Sequence, residues 1–470
     1  MPLPVISLAQ MRDWERATWA AGLTEAAVIR HVGRKIAARA RELTRPGDSV
    51  LILAGKGHNG DDARAAKKFS AERQVEILDV TSPENALPKL KSSLLRNPAL
   101  IIDGLFGIGL NRALDDGWKK FITTVNESKS PVLAVDVPSG LNADTGEHFG
   151  MAIKAEITLT VGAPKIGMLA QPAWPFVGRL EVAEDVGLIR CPHQTKLNWT
   201  QTDDFQSYPP RRAAAGHKGS FGHLAVVAGS FGFHGAAVLA TRAAQRAQPG
   251  LVTLFTAGEI YSAVAAQLQS AMVNLWKPKL VFPDSTSAVL IGPGLAAPGI
   301  AGKMKAFTQK FWRDSKLPVV VDASALDWLP PGKFFKNAVR VITPHPGEAA
   351  RLLKTTPAII QENRAGSLRE LSRRFGNCWV ILKGHQTLVG RSDGEIFVNP
   401  SGNPHLAQGG SGDVLAGFIA GLLAQPALQA DAGKTIRYAV WQHGAAADKL
   451  QATRANWTVE DLPVKLGNAR

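Results

Sequence analysis

The stretch SVLILAGKGHNGDDARAAKKF, residues 49–69, decides the fold class. A short apolar run ends in a glycine turn, and an alanine-rich segment of helical character follows. Strand, glycine turn and helix, in that order, is the local grammar of an open parallel sheet that receives its ligand at the carboxyl edge. Further apolar runs at 75–80, 100–103 and 132–136 are separated by polar or helical segments. The repeat is β-α-β, so the N-terminal part reads as a doubly wound, Rossmann-like three-layer α/β domain. Ahead of it, residues 12–42 read as one helical stretch in which Trp14 and Trp19 are packing residues.

Two of these runs end in acids. Leu100 to Ile102 feeds Asp103 in DGLFGIGL, and Val132 to Val135 feeds Asp136 in DVPSGL. Ligands of such sheets bind in the crevice beyond the strand ends, where these acids lie. A single strand-end Asp is as often a helix cap as a catalyst. Three strand ends carrying Asn59 with Asp62, Asp103, and Asp136 with Ser139 favour one convergent site over three caps. The donor set is oxygen only and hard, which suits an alkali or alkaline-earth cation better than zinc.

A chain of 470 residues exceeds one ordinary core and suggests two to three domains. Its 45% hydrophobic and 20% charged residues are those of a folded globular protein. The formal charge of +15 favours anionic ligands. The basic residues occur as doublets such as Lys67-Lys68 and Arg211-Arg212 without aromatic interleaving, so no nucleic-acid partner is expected. Two cysteines, Cys191 and Cys378, lack metal spacing and fit a reducing compartment. The opening MPLPVISLAQMRDWERA has no basic and apolar leader, and no apolar run approaches the roughly 20 residues of a membrane span. A cytoplasmic protein without a membrane partner is expected. Periodicity fades after Cys191, and a linker at 196–215 separates domain 1–195 from domain 216–470.

The second domain repeats the β-branched run ending in Gly, Pro or Asp, at 223–228, 251–255, 290–294, 319–323, 341–348 and 380–384. The alanine-rich helix at 236–248 either admits a planar ligand or packs tightly. His345, bracketed by prolines, is either structural or a ligand contact. Lys383 at a strand end reads as an anion contact. The last motif is GNPHLAQGGSGDVLAGFIAG, residues 402–421. Gly409, Gly410 and Gly412 run into Asp413 and then into a helix whose buried face carries Val414, Leu415, Phe418, Ile419, Leu422 and Leu423. A glycine-lined helix start either attracts phosphate or merely turns the chain tightly onto the helix. An acid placed there belongs to the other reactant, as the group that takes a proton from a hydroxyl during phosphoryl transfer.

On GKGHNGDDA, DGLFGIGL and DVPSGLNADTG, residues 5 to about 190 resemble the NAD(P)H-hydrate epimerase family. The resemblance implies a K+ ion held by Asn59, Asp103 and Ser139, and Asp136 as the acid/base facing the substrate. It implies a pocket lined by His58, Asn59, Gly60, Asp61 and Asp62 and by Gly107, Ile108, Gly109, Leu110, Asn111, Arg112 and Ala113. Against the family pattern GxGNNGGDG this chain has His58 for Asn, and Asp61 and Ala63 for Gly. On GPGL, DASAL, TPHPGE, LKGHQTLV and GNPHLAQGGSGDVLAG, residues 216–465 resemble the NAD(P)H-hydrate dehydratase family, which implies a ribokinase-like α/β fold. There the resemblance implies that Asp413 is catalytic and, with Ala236, Gly294 and His345, contacts a hydrated nicotinamide. It implies that Lys383, Gly384, His385, Gln386, Thr387 and Gly412 meet the nucleotide. ADP is the implied phosphoryl donor and Mg2+ the implied ion, and His405, where the family has glycine, would narrow the neighbouring wall. The expected partners are hydrated NADH or NADPH and ADP, in a homo-oligomer. The alternative is a ribokinase-like kinase of a pyrimidine or thiazole alcohol behind a non-catalytic N-terminal binding module.

Overall fold

The computed structural model describes residues 2–277 and 280–468. It divides into two compact units, Leu3–Thr195 and Lys196–Arg470.

The first unit opens with a two-residue strand, β1 (Leu3–Pro4), and then builds a sheet from six others. These are β2 (Ser49–Ala54), β3 (Gln74–Asp79), β4 (Leu100–Gly104), β5 (Val132–Val135), β6 (Ile157–Val161) and β7 (Arg179–Ala183). All pairs are parallel and the order is β3-β2-β4-β5-β6-β7. The run at 49–54 is continuously apolar because both faces are covered. Val50, Ile52 and Ala54 join one core cluster with the Glu25–Leu43 helix, while Leu51 and Leu53 join another with Leu90, Phe121 and Ile122. The chain leaves β2 toward β3 on one side and β4 on the other. Ligands of open sheets bind where strand order reverses in this way.

Residues 12–42 are not one helix. Helices Leu8–Ala20 and Glu25–Leu43 are parted at Gly22, whose φ of +84° suits glycine, and Thr24 caps the second helix by accepting from Ala27 N–H.

In the second unit the strands are β8 (Leu197–Trp199), β9 (His223–Val227), β10 (Leu251–Thr256), β11 (Met272–Leu275), β12 (Ala288–Ile291), β13 (Val319–Val321), β14 (Arg340–Ile342), β15 (Trp379–Leu382), β16 (Leu388–Gly390) and β17 (Ile396–Val398). They follow the order β8-β17-β16-β15-β14-β13-β12-β9-β10-β11. From β15 to β11 every pair is parallel, whereas β16 is antiparallel to both its neighbours. Strand order reverses between β9 and β12. The helix Ser411–Leu423 is buried from Val414 onward and lies against the helix His234–Arg246. A Cβ on Gly417 would fall 2.0 Å from the Ala240 carbonyl oxygen, and one on Gly421 2.6 Å from that of Ala244. On this face the alanine-rich helix is there for tight packing.

The stretch 196–215 is structured rather than a free linker. β8 extends the sheet beside β17, and Trp199 and Phe205 are buried, with the Phe205 ring centroid 5.5 Å from those of Tyr438 and Trp441. Three aromatic residues among the polar ones supply enough apolar surface to pin the segment. Among the described residues no helix is long and apolar enough to cross a membrane.

Candidate functional sites

At the carboxyl edge of the first sheet lies a cavity of about 700 Å3. Of the residues singled out in the sequence, His58, Asn59, Asp62, Gly107, Ile108, Gly109, Leu110, Asn111, Arg112 and Asp136 line it. Gly60, Asp61 and Ala113 do not. Gly60 packs its backbone on Gly55, where a Cβ would lie 2.2 Å from the carbonyl oxygen, and Asp61 turns away to Arg64 at 2.8 Å. His58 is largely exposed and its Nε2 meets Glu25 at 2.8 Å.

The three residues read as cation ligands do converge. Asn59 Nδ2 donates to the Phe106 carbonyl at 2.8 Å, leaving its amide oxygen outside that bond. Ser139 Oγ donates to Asp103 Oδ1 at 2.6 Å and accepts from Phe106 N–H at 2.8 Å, while Ser139 N–H donates to Asp103 Oδ2 at 2.8 Å. Asp103 is fully buried. Burial pushes its pKa up to about 6, against the pull of the Ser139 and Leu105 hydrogen bonds. A buried carboxylate among oxygen donors alone is a setting that one small positive charge would complete, and the donor chemistry fits K+.

Asp136 follows β5 with a φ of +61°, a conformation that Asp tolerates better than most residues. Its Oδ1 accepts from Lys165 Nζ, from Thr160 Oγ1 at 3.1 Å and from Val161 N–H at 2.9 Å. Lys165 has no solvent exposure. Sequence reading missed this lysine, because nothing in APKIG marks its side chain as reaching a strand end nearly thirty residues away. It also missed Arg12, Glu15 and Glu25, which the two leading helices bring to the cavity wall.

The second constellation surrounds the start of the Ser411–Leu423 helix. Gly410 enters it with a φ of +94°. Ser411 N–H is taken by the Gln408 carbonyl at 3.3 Å, which leaves the Gly412 and Asp413 amides as the first-turn donors without a partner inside the helix. Lys383 does not simply reach outward. Its Nζ lies 3.0 Å from Asp322 and 3.7 Å from Glu348, and a Cβ on Gly412 would approach it to 3.1 Å. An ammonium beside the positive end of a helix is unfavourable unless acids hold it there. Here burial depresses the Lys383 pKa, and Asp322 and Glu348 more than reverse that, so the net shift is upward. Asp413 is half-buried, and burial together with Asp322 pushes its pKa up to about 7 while Lys383 opposes the rise. Asp322 was missed as a site residue, although VVV at 319–321 running into an acid is the signal that drew attention to Asp103.

Ala236 and Gly294 meet at the β9/β12 reversal, where a Cβ on Gly294 would lie 2.9 Å from that of Ala236. Ser230 ties the two loops together, donating to the Gly294 carbonyl at 2.6 Å and accepting from Ala297 N–H at 3.0 Å. His345 caps the helix Pro346–Leu353, its Nδ1 accepting from Gly347 N–H at 3.0 Å and its backbone N–H donating to Glu348 at 2.8 Å. The loop of Lys383, Gly384, His385, Gln386 and Thr387 is gripped by the buried Arg364, which donates to the carbonyls of Leu382, His385 and Gln386. Burial lowers the Arg364 pKa to about 10. The Gln386 amide is buried with neither polar atom hydrogen-bonded. His405 is exposed, its ring 6.3 Å from that of Trp457 between centroids, and the backbone beside it is anchored by Asn403 and Gly402 to Asp448.

A family model described as NAD(P)H-hydrate dehydratase matches residues 224–467, and one described as YjeF-related protein N-terminus matches residues 64–167. The second match begins just after the altered glycine loop. The bifunctional NAD(P)H-hydrate repair enzyme Nnr of Moorella thermoacetica is 33% identical, with 86% of this chain and 84% of that protein covered. The protein of the same name from Escherichia coli is also 33% identical, covering 86% and 81%. Among solved structures, a ribokinase-like superfamily protein from Enterococcus faecalis is 25% identical with a TM-score of 0.52, covering 59% of this chain and 96% of that one.

Proposed function

The chain belongs to the family of bifunctional NAD(P)H-hydrate repair enzymes, and from that premise we propose how its two units divide the work. The family activity is repair of hydrated NADH and NADPH by an NAD(P)H-hydrate epimerase and an ADP-dependent NAD(P)H-hydrate dehydratase. The first unit interconverts the R and S hydrates in the cavity that Asp136 lines. The second unit removes water from the S hydrate, using ADP and releasing AMP and phosphate.

The observation that carries the dehydratase assignment is the Asp413 carboxyl. It stands in the first turn of a helix whose Gly412 amide is available to a phosphate, and its pKa of about 7 is that of a working general base. In this reading Asp413 takes the proton of the ring hydroxyl as that oxygen attacks the terminal phosphorus of ADP. The amides of the helix start hold the transferred phosphate; its departure with the C–O electron pair leaves an iminium ring, and loss to water of the proton on the adjacent ring carbon, whose C–H electrons form the C=C bond, restores NAD(P)H. Ala236, Gly294 and His345 border the nicotinamide. The loop of Lys383, Gly384, His385, Gln386 and Thr387 meets the nucleotide, and the unsatisfied buried amide of Gln386 favours that assignment.

Mg2+ needs only one or two carboxylates when phosphates supply its other ligands. Asp322 and Glu348 offer those oxygens, and the ion would neutralise phosphate charge. K+ would be held by Asn59, Asp103 and Ser139 and would supply a fixed positive charge beneath the epimerase cavity. A kinase of a pyrimidine or thiazole alcohol gains no support from these observations. The test supplies purified R or S hydrate with ADP or ATP in parallel and follows recovery of NADH absorbance. A stable phosphorylated product without NADH would refute the dehydratase reading.

A further inference from the structure

The epimerase cavity holds a second carboxyl whose surroundings are the reverse of those of Asp136. Asp62 sits on the helix His58–Ala66, one turn beyond Asn59, and lines the cavity half-buried. Among the described residues no hydrogen bond or ion pair engages its carboxyl, whereas Lys165 Nζ, Thr160 Oγ1 and Val161 N–H all converge on Asp136 Oδ1. An ammonium and two further donors thus meet on one oxygen of Asp136. Four other acids act on Asp62. Asp136 faces it from the end of β5, Glu15 from the helix Leu8–Ala20, Glu25 from the helix Glu25–Leu43, and Asp61 from its own helix. Of the cations on these elements, Arg64 pairs with Asp61 and Asp79, His58 with Glu25 and Lys165 with Asp136, and Arg12, Lys56 and Arg112 also line the cavity. Burial first, and Asp136 next, push the Asp62 pKa up to about 8. Two carboxyls in one cavity, one met by three donors and the other by none, are the usual makings of an acid and base pair.

The substrate calls for such a pair. A reduced nicotinamide ring is an enamine, so hydration places the proton on the carbon β to the ring nitrogen and the hydroxyl on the carbon α to it. The R and S hydrates differ at that carbinolamine carbon. Inverting it through an iminium ion requires the C–O bond to break with proton donation to oxygen, and water to return on the other face.

We propose that Asp62 is the proton donor of the epimerase and Asp136 its partner base; this rests on the reading of the cavity as the epimerase site. Neutral Asp62 gives its proton to the hydroxyl, the C–O bond breaks, the ring nitrogen lone pair forms the C=N bond and one water departs. Another water attacks the opposite face of the iminium carbon, and its proton goes to Asp136. Passage of that proton from Asp136 to Asp62 resets the pair, with no net change in atoms or electrons.

The test uses the full-length chain with the Asp62→Asn, Asp62→Glu and Asp136→Asn variants, measuring conversion of purified R hydrate to S above the uncatalysed rate. Asp62→Asn is expected to lower kcat by 10²- to 10⁴-fold with KM within about threefold, the range for losing a general acid. Asp62→Glu restores a donor and is expected to recover part of kcat. The wild-type rate is expected to fall as pH rises through about 8, because the protonated form is the active one, and the residual Asn-variant rate should lack that limb. Far-UV circular dichroism and dehydration of S hydrate with ADP report whether the variants are folded. If Asp62→Asn keeps kcat within threefold while Asp136→Asn loses it, the donor assignment is wrong. Should neither substitution in folded protein lower the rate, the cavity is not the epimerase site and the underlying reading fails as well.

Discussion

A carboxylate at a helix start next to a phosphate site is an electrostatic conflict, and the way Asp413 resolves it fixes its pH behaviour. Burial, Asp322 and Glu348 raise its pKa to about 7, against the opposing pull of the Lys383 ammonium. Only the ionised form can accept the hydroxyl proton, so dehydration of S hydrate should increase as pH rises through about 7, as a pH–rate profile with saturating ADP will show. Asp413→Asn should cost 10²- to 10⁴-fold in that rate. Lys383→Met removes the lowering influence, so the residual rate should rise only at higher pH than in wild type. A profile that keeps its midpoint would place Asp413 outside the catalytic step. The stability sign is opposite. A carboxyl whose pKa is raised on folding favours the folded state at low pH and loses that advantage as pH climbs from about 4 to about 7. Asp413→Asn should therefore melt higher than wild type at pH 8, and the difference should fade toward pH 5. Asp413 was legible in the sequence because glycines running into an acid and an apolar helix have few other uses. Its companions Asp322 and Glu348 were legible only as parts of motifs, since their meeting at Lys383 depends on three strands standing side by side.

At the scale of elements, glycine meant two different things in one helix. Gly409, Gly410 and Gly412 open the helix start to an anion, whereas Gly417 and Gly421 are spacers that let it close on Ala240 and Ala244. Periodicity marked the apolar face correctly but could not identify the partner helix, because contact between residues nearly 180 positions apart leaves no local trace. A methyl group on Gly417 has nowhere to go, so Gly417→Ala should destabilise the second unit by about 1–3 kcal/mol through overpacking. Gly302 lies exposed inside the helix Ile300–Asp314 with nothing within 4 Å of a Cβ, and Gly302→Ala should stabilise by about 0.5–1 kcal/mol. Denaturant unfolding of both variants checks the two signs together. Elsewhere the misreadings were of boundaries. The break between Leu8–Ala20 and Glu25–Leu43 was signalled by Gly22 and Thr24 but hidden by the alanine-rich sequence on either side. Strands β6, β7 and β16 went unread because ITLTV, RLEVA and LVG are short and mixed in polarity, and pairing rather than pattern makes them strands.

At the scale of the whole chain, the residues named for each site come from one unit. The epimerase cavity is lined by residues between Met11 and Leu188, and the constellation around Asp413 is drawn from residues beyond Lys196. Each activity should then survive loss of the other: Asp136→Asn should lose epimerisation and keep dehydration of S hydrate, and Asp413→Asn should do the reverse. Transfer of the product from one site to the other as the free S hydrate is the simplest arrangement. That predicts complementation between chains. An equal mixture of Asp136→Asn and Asp413→Asn proteins, each unable to repair R hydrate alone beyond its spontaneous epimerisation, should convert R hydrate to NADH once ADP is added. The hydrate is a polyanion and the chain carries a formal charge of +15, so capture of the released hydrate should be electrostatically assisted and should weaken as salt is raised. Coupled NADH recovery, measured for the mixture and for wild type at equal active-site concentrations across a salt series, tests both statements. If each variant retains its single activity and the mixture still fails, the two sites must act on one chain at a time, and free diffusion of the S hydrate between them is excluded.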